Sequence, residues 1–326
     1  MSPLVCDVTV QELPALVGIG LLVAPAGCLG MWAWILWRLG QRAPVLPFEP
    51  RRRVPWGGLH VFGVLVVYVG AALLLQPLGH ALAALVGEEP ASASALEGGV
   101  PDAPGAEESK PRREHPVLRA LERDSRLGMI LLAVYSAVVV APVVEEFFFR
   151  LLLQGWLEKL EWLGRRRWLA LRRLIPGVLP VLVASALFAA IHVRTPKPDE
   201  EPRPWLSLMA ADATARLVTV ALFVWLLRAL SGATARDLGF VREKFWADVR
   251  LGLLAFLAIG IPIYLIQEGF ARLLPKSVVP DPIALVFFAS ALGLLYYRTH
   301  RIVPAVTLHL ALNATSVTIY VLTRSS

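Results

Sequence analysis

Charge is what this sequence has least of. Only 17% of its 326 residues are Asp, Glu, Lys or Arg, and 56% are hydrophobic. A soluble domain carries about 25% charged residues, so the shortfall argues against an ordinary soluble enzyme and for a chain that lives in a bilayer. Cysteine is nearly absent. Cys6 and Cys28 are the only two, and Cys28 lies inside the first apolar run. Neither a disulfide framework nor a thiolate metal site is expected. No Lys or Arg precedes Arg38, and the apolar run before it is long enough to span, so a cleavable signal peptide is not expected either. GxGxxG, Walker, HExxH and partnered GxSxG patterns are all missing. Ser185 and Ser316 have no nearby base, which argues against a serine nucleophile.

What is present is a series of apolar runs at roughly 14–37, 59–86, 127–157, 174–193, 206–230, 249–274, 283–298 and 302–322. These predict an all-α membrane bundle of about eight transmembrane helices. The net charge of +7 is distributed between these runs rather than along one face. Arg38, Arg42 and Arg51–Arg53 follow the first run, and Lys159, Arg165–Arg167, Arg172 and Arg173 the third. Arg228, Arg236, Arg242 and Lys244 follow the fifth, and Arg298 and Arg301 the seventh. Basic loops after every odd run place those loops in the cytoplasm and both termini on the other side. The bases thus encode topology, and nucleic acid is not an expected partner.

The expected organisation is an N-terminal pair of transmembrane helices over 1–86, a Glu/Pro/Ala/Ser-rich external linker over 87–126, and a helical core over 127–326. The stretch HPVLRALERDSRL (115–127) has helical spacing and is expected along the interface.

Three segments carry polar groups inside apolar runs, where a charge costs several kcal/mol unless it is paired, hydrated or useful. The first is APVVEEFFFRLLLQGW (141–156). Glu146 and Arg150 are four apart, a favourable helical ion pair. Glu145 is turned about 100° away, so its carboxylate is free for another helix. Phe147, Phe148 and Phe149 are expected to wall the site. The second is SALFAAIHVR (185–194), with His192 one turn after Phe188. The third is HRIVPAVTLHLALNATS (300–316), in which His309 and Asn313 share a face. Each taken alone has a structural explanation: a buried ion cluster, an interfacial histidine, or a helix–helix hydrogen bond worth about 1 kcal/mol. Together they fit hydrolysis, with a carboxylate and an imidazole holding a water and a second imidazole and an amide facing a developing oxyanion. Glu145, His192 and His309 are also a possible zinc donor set. A non-catalytic scaffold, or a transporter using the same polar cluster, is the alternative from another class.

The strings EEFFFR (145–150), FAAIH (188–192) and HLALN (309–313) resemble, in that order, the EExxxR, FxxxH and HxxxN motifs of the CPBP family, the CAAX prenyl protease and bacteriocin-processing or Abi-type membrane proteins. The resemblance covers about 127–193 and 283–322. It implies an endopeptidase of the bacterial inner-membrane type, acting on a peptide or protein substrate at the bilayer as a glutamate-type protease without a metal. It further implies that Glu145 and His192 activate the water, that Glu146, Arg150 and Phe188 support them, and that His309 and Asn313 form the oxyanion hole. One feature departs from the family. Its second and third motifs are typically separated by one helix, whereas three lie between His192 and His309 here. A two-helix insertion at about 205–276 is expected to pack at the periphery.

Overall fold

A backbone in lipid finds no water to bond, so apolar runs of this length satisfy their amides internally as helices. The computed structural model describes residues 13–50, 52–86, 127–193, 205–273 and 281–324, and no strand occurs among them. The linker 87–126, almost all of the stretch 115–127, Arg51 and both chain ends lie outside the described residues.

Helix α1 spans Leu13–Gly40 and α2 spans Gly58–Val86. α3 is one continuous helical rod, residues 127–164, built from alternating α and π segments. A short helix α4, Leu169–Arg173, leads into α5, Val178–Ile191. α6 is Trp205–Ser231, α7 Phe245–Leu273, α8 Asp281–Thr299 and α9 Val303–Arg324. A helix therefore stands at each of the eight apolar runs. The segments Ile130–Gly164, Ser207–Ser231, Arg242–Leu273 and Pro282–Thr299 are long and apolar enough to cross a membrane, while Val178–Ile191 is shorter.

The packing sets α3 at the centre. α5 and α8 lie against each other and α5 against α3; α9 meets the first half of α3. α6 packs chiefly on α2, and α7 on α1, α8 and α9. The two helices of the 205–276 segment thus flank the core, and Phe188 of α5 touches His309 of α9 directly, with ring centroids 5.9 Å apart. Two apolar clusters hold this arrangement. Trp56, Val64, Phe147, Leu151, Leu152, Phe223 and Leu227 join the α1–α2 connection, α2, α3 and α6, whereas Ile263, Phe288, Leu292, Leu308 and Leu312 join α7, α8 and α9.

Candidate active site

The central helix is locally widened, and its sequence explains where. Ala141 donates its N–H to the Ser136 carbonyl, five residues back, closing the π segment Ser136–Val140. In that register the next donor falls on residue 142, a proline, which has no N–H. The carbonyl left over is that of Ala137, and the Asn313 side chain of α9 donates to it through Nδ2 at 2.8 Å. A second π segment, Phe147–Gln154, begins directly after the two glutamates. The acidic pair therefore sits on one short α-helical piece, Ala141–Glu146, between two π segments.

α5 is aimed by its start. Gly177 adopts a left-handed φ of 85°, and an added Cβ there would come within 2.1 Å of Tyr297 on α8. Its N–H donates to both oxygens of Glu161 on α3, at 3.0 and 3.2 Å. That turn fixes the end of α5 opposite His192. At the other end His192 caps the helix, and its Nδ1 donates to the Phe188 carbonyl at 2.7 Å. A carbonyl only accepts, so Nδ1 carries the hydrogen and Nε2 faces the site.

Three segments far apart in sequence meet at Glu145. Its Oε1 is 3.8 Å from His192 Nε2 and its Oε2 is 3.7 Å from His309 Nε2. Both gaps exceed a direct hydrogen bond and suit groups that share a small molecule between them. Glu146 takes a different part. Its Oε2 lies 3.2 Å from Arg150 Nε, its Oε1 accepts from His309 Nδ1 at 2.9 Å, and both Glu146 and Arg150 are 0% exposed. One carboxylate thus orients the second imidazole while the other meets both imidazoles. The side chains of Glu145 and His192 are 19% and 26% exposed, against 5% for His309, so the approach to the site lies on the Glu145–His192 side.

Aromatic rings shape the rest. Phe188 packs on His192 with the rings tilted by 32° and their centroids 4.5 Å apart, with Phe149 at 5.2 Å and the Arg150 guanidinium 5.5 Å from its ring. Phe288 of α8 packs edge-on to His309 at 5.1 Å. Of the three consecutive phenylalanines expected to wall the site, Phe149 does so. Phe147 and Phe148 point instead into the packing against α6, within 6.4 and 5.5 Å of Phe223. Among the described residues, no group of three or more His, Cys, Asp or Glu side chains is arranged to hold a metal ion.

The sequence reading overlooked the continuation of this cluster. Gln154 is fully buried and donates from Nε2 to the Gly293 carbonyl of α8 at 2.9 Å and to Glu158 Oε1 at 3.0 Å. The signal was available, because Glu146, Arg150, Gln154 and Glu158 recur every four residues inside an apolar helix and all four are buried. The partner of Asn313 and the contact of Phe288 leave no trace in spacing. Glu145, Glu146, Arg150, Phe188, His192 and His309 do come together as the motifs imply, with Asn313 bound to the same segment of α3.

No curated protein and no solved structure matches the chain. The family described as type II CAAX prenyl endopeptidase, Rce1-like, matches residues 127–315, from the first residue of α3 to two residues beyond Asn313. That is more than half of the chain and includes every residue of the site. With apolar helices long enough to cross a bilayer, the protein belongs to the Rce1-like family of CAAX-type intramembrane endopeptidases.

Proposed function

We propose that this protease hydrolyses its peptide bond with a water held between Glu145 and His192, without a metal. The observation that carries the reading is the pair of gaps around Glu145, since one carboxylate faces an imidazole Nε2 on each side at 3.7 and 3.8 Å. Water bridges such distances readily. His192, with Nδ1–H committed to Phe188 O, presents the Nε2 lone pair as a base, and Glu145 takes up or passes on the proton. His309 is the electrophilic partner. That role requires both ring nitrogens of His309 to carry hydrogens, beside the carboxylates of Glu145 and Glu146. Its Nδ1–H goes to Glu146, which leaves Nε2–H directed at the carbonyl oxygen as it becomes an oxyanion. Asn313 has a second amide hydrogen beyond the one given to Ala137, and this serves the same oxyanion.

In the membrane this reading has eight crossings, both termini on the non-cytoplasmic side, and a core over 127–326 that accommodates the 205–276 pair outside the site. The substrate is a membrane-associated protein or peptide, with the CAAX type implied by the family.

The test is cleavage of a farnesylated CAAX-type peptide by purified protein in nanodiscs. Glu145→Gln and His192→Ala are each expected to lower kcat by about 10²-fold or more while the protein still inserts and purifies. Metal analysis and chelation accompany it. The reading requires turnover to survive chelation with substoichiometric zinc. Stoichiometric zinc that disappears in the His192→Ala protein would assign the same three side chains to a metal instead.

A further inference from the structure

The connection between α1 and α2 is pinned to α3 more firmly than a loop that only reverses the chain needs to be. Trp56 is fully buried and donates from Nε1 to the Leu152 carbonyl at 3.3 Å. Lys159 donates from Nζ to the carbonyls of Pro55 and Trp56 at 3.3 and 2.8 Å. The Arg53 guanidinium lies 3.3 Å from the centre of the Trp162 ring, and Arg166 lies 4.2 Å from the same ring. These contacts hold Arg53, and with it Arg52, against the end of α3 that bears the basic loops.

A cavity of about 130 Å³ opens there, lined by Arg52, Arg53, Glu158, Lys159 and Trp162. Arg52 and Arg53 also form the wall of an adjoining recess that reaches Arg236, Asp237 and His300. The acids in this double pocket are already engaged. Glu158 accepts from Gln154 at 3.0 Å and stands 3.8 Å from His300, and Asp237 accepts from the Thr234 N–H at 2.9 Å and from its hydroxyl at 2.5 Å. Arg52 and Arg236 are exposed, and neither has a side-chain hydrogen bond or ion pair among the described residues. Four cations and two occupied acids leave the pocket net positive, at the end of α3 that bears the basic loops.

We infer that this pocket binds a phosphate group. Guanidinium forks match the tetrahedral oxyanion in a bidentate way, and Lys159 adds a point charge. Basic pockets between membrane helices near the surface are where anionic headgroups dock. A phospholipid headgroup and free phosphate both supply this chemistry, and the two sources separate experimentally. The cations of this pocket are distinct from the residues assigned to the proteolytic chemistry, and only Glu158, through Gln154, connects the pocket to the buried row behind Glu146.

The experiment measures thermal unfolding of the full-length protein in nanodiscs. Three conditions are compared: phosphatidylcholine alone, phosphatidylcholine with phosphatidylglycerol, and phosphatidylcholine with added inorganic phosphate. The wild type should gain several degrees with phosphatidylglycerol, with phosphate, or with both, and the gain should shrink with added salt. The Arg52→Gln/Arg236→Gln protein, which loses no side-chain hydrogen bond or ion pair made among the described residues, should need at least about tenfold more anion for the same gain. A charge-matched Arg228→Gln/Arg242→Gln protein, altered outside the pocket, should respond like the wild type. A gain with phosphatidylglycerol alone identifies a headgroup site, and a gain with phosphate identifies an anion site. An equal response from all three proteins, or no gain by the wild type in either arm, overturns the inference.

Discussion

Asn313 gives its side-chain amide to the main-chain carbonyl of Ala137, 2.8 Å away and on another helix. The relationship follows from Pro142, which cannot supply the N–H that the π register calls for. A carbonyl stranded in an apolar bundle costs free energy unless a neighbour reaches it. Asn313 therefore closes a gap in α3 directly before the acidic pair, and the oxyanion role proposed for its other amide hydrogen would come in addition to that.

The two roles separate in a double-mutant cycle. Asn313→Ala should lower stability by about 1 kcal/mol, the scale of a hydrogen bond between membrane helices. Pro142→Ala restores a donor to the helix, so Asn313→Ala should cost clearly less in that background. Unfolding of all four proteins checks the coupling. Equal costs in both backgrounds would mean that the Ala137 carbonyl does not depend on Asn313.

Glu145 and Glu146 are adjacent, yet their substitutions should fail differently. Glu146 is fully buried and bonded to both Arg150 and His309. Glu146→Gln leaves a buried guanidinium without its counter-charge, a loss of about 3 kcal/mol or more. It should reduce the yield of folded protein as well as its activity. Glu145 is partly exposed and makes no direct hydrogen bond to either imidazole at 3.7 and 3.8 Å. Glu145→Gln should keep the wild-type melting temperature and lose turnover. Melting curves beside cleavage rates decide it, and a Glu145→Gln protein that melts early would give Glu145 a structural part.

The contrast shows what spacing alone can reveal. The eight apolar runs, the Glu146–Arg150 pair and the freedom of Glu145 to reach other helices all follow from period and polarity, and each has its counterpart in the fold. The π segments do not follow, because they depend on which carbonyl a distant side chain is able to serve. Their effect is visible at Phe147–Phe149. A π-helix carries more residues per turn than an α-helix, and two of the three rings turn away from the site into the α6 packing. Nothing in the loop charges announces their partners in space. That Glu49 meets Lys244 and Arg301, 195 and 252 residues away, is a product of the fold.

Gly293 is the glycine whose substitution should reach the active site through the buried row of α3. A Cβ there would come within 2.9 Å of Gln154 Oε1, 3.0 Å of Val181 and 3.6 Å of Arg150 Nη1. Gly293→Ala therefore presses on the buried row that backs Glu146. It should lower the melting temperature and reduce kcat about tenfold with KM little changed, since a small displacement of supporting groups is felt in the chemical step. Gly269 of α7 has nothing within 4 Å of its Cβ position, and Gly269→Ala should be neutral or slightly stabilising. Thermal unfolding and steady-state kinetics of the two proteins test the pair. A Gly293→Ala enzyme with unaltered kcat would detach the Gln154 row from catalysis.

Acid should loosen the basic end of the bundle through Glu49. Burial pushes its carboxyl up, but the hydrogen bond from Lys244 and the charges of Arg301 and Lys244 outweigh this and hold it below the usual 4.5. Lys244 Nζ lies 2.5 Å from Glu49, and Arg301 hydrogen-bonds Glu49 and forms an ion pair with Asp248 at 2.7 Å. Because the folded protein holds this carboxyl more acidic than the unfolded chain does, the stabilisation is fully present above about pH 4.5. It disappears as the pH falls through the lower, folded value. Glu49→Gln should accordingly melt below the wild type at pH 7, and the difference should narrow at pH 3–4. Melting temperatures of both proteins across that range provide the check. A difference that stays constant from pH 7 to pH 3 would show that the Glu49 charge contributes nothing to holding the α1–α2 connection onto α7 and α9.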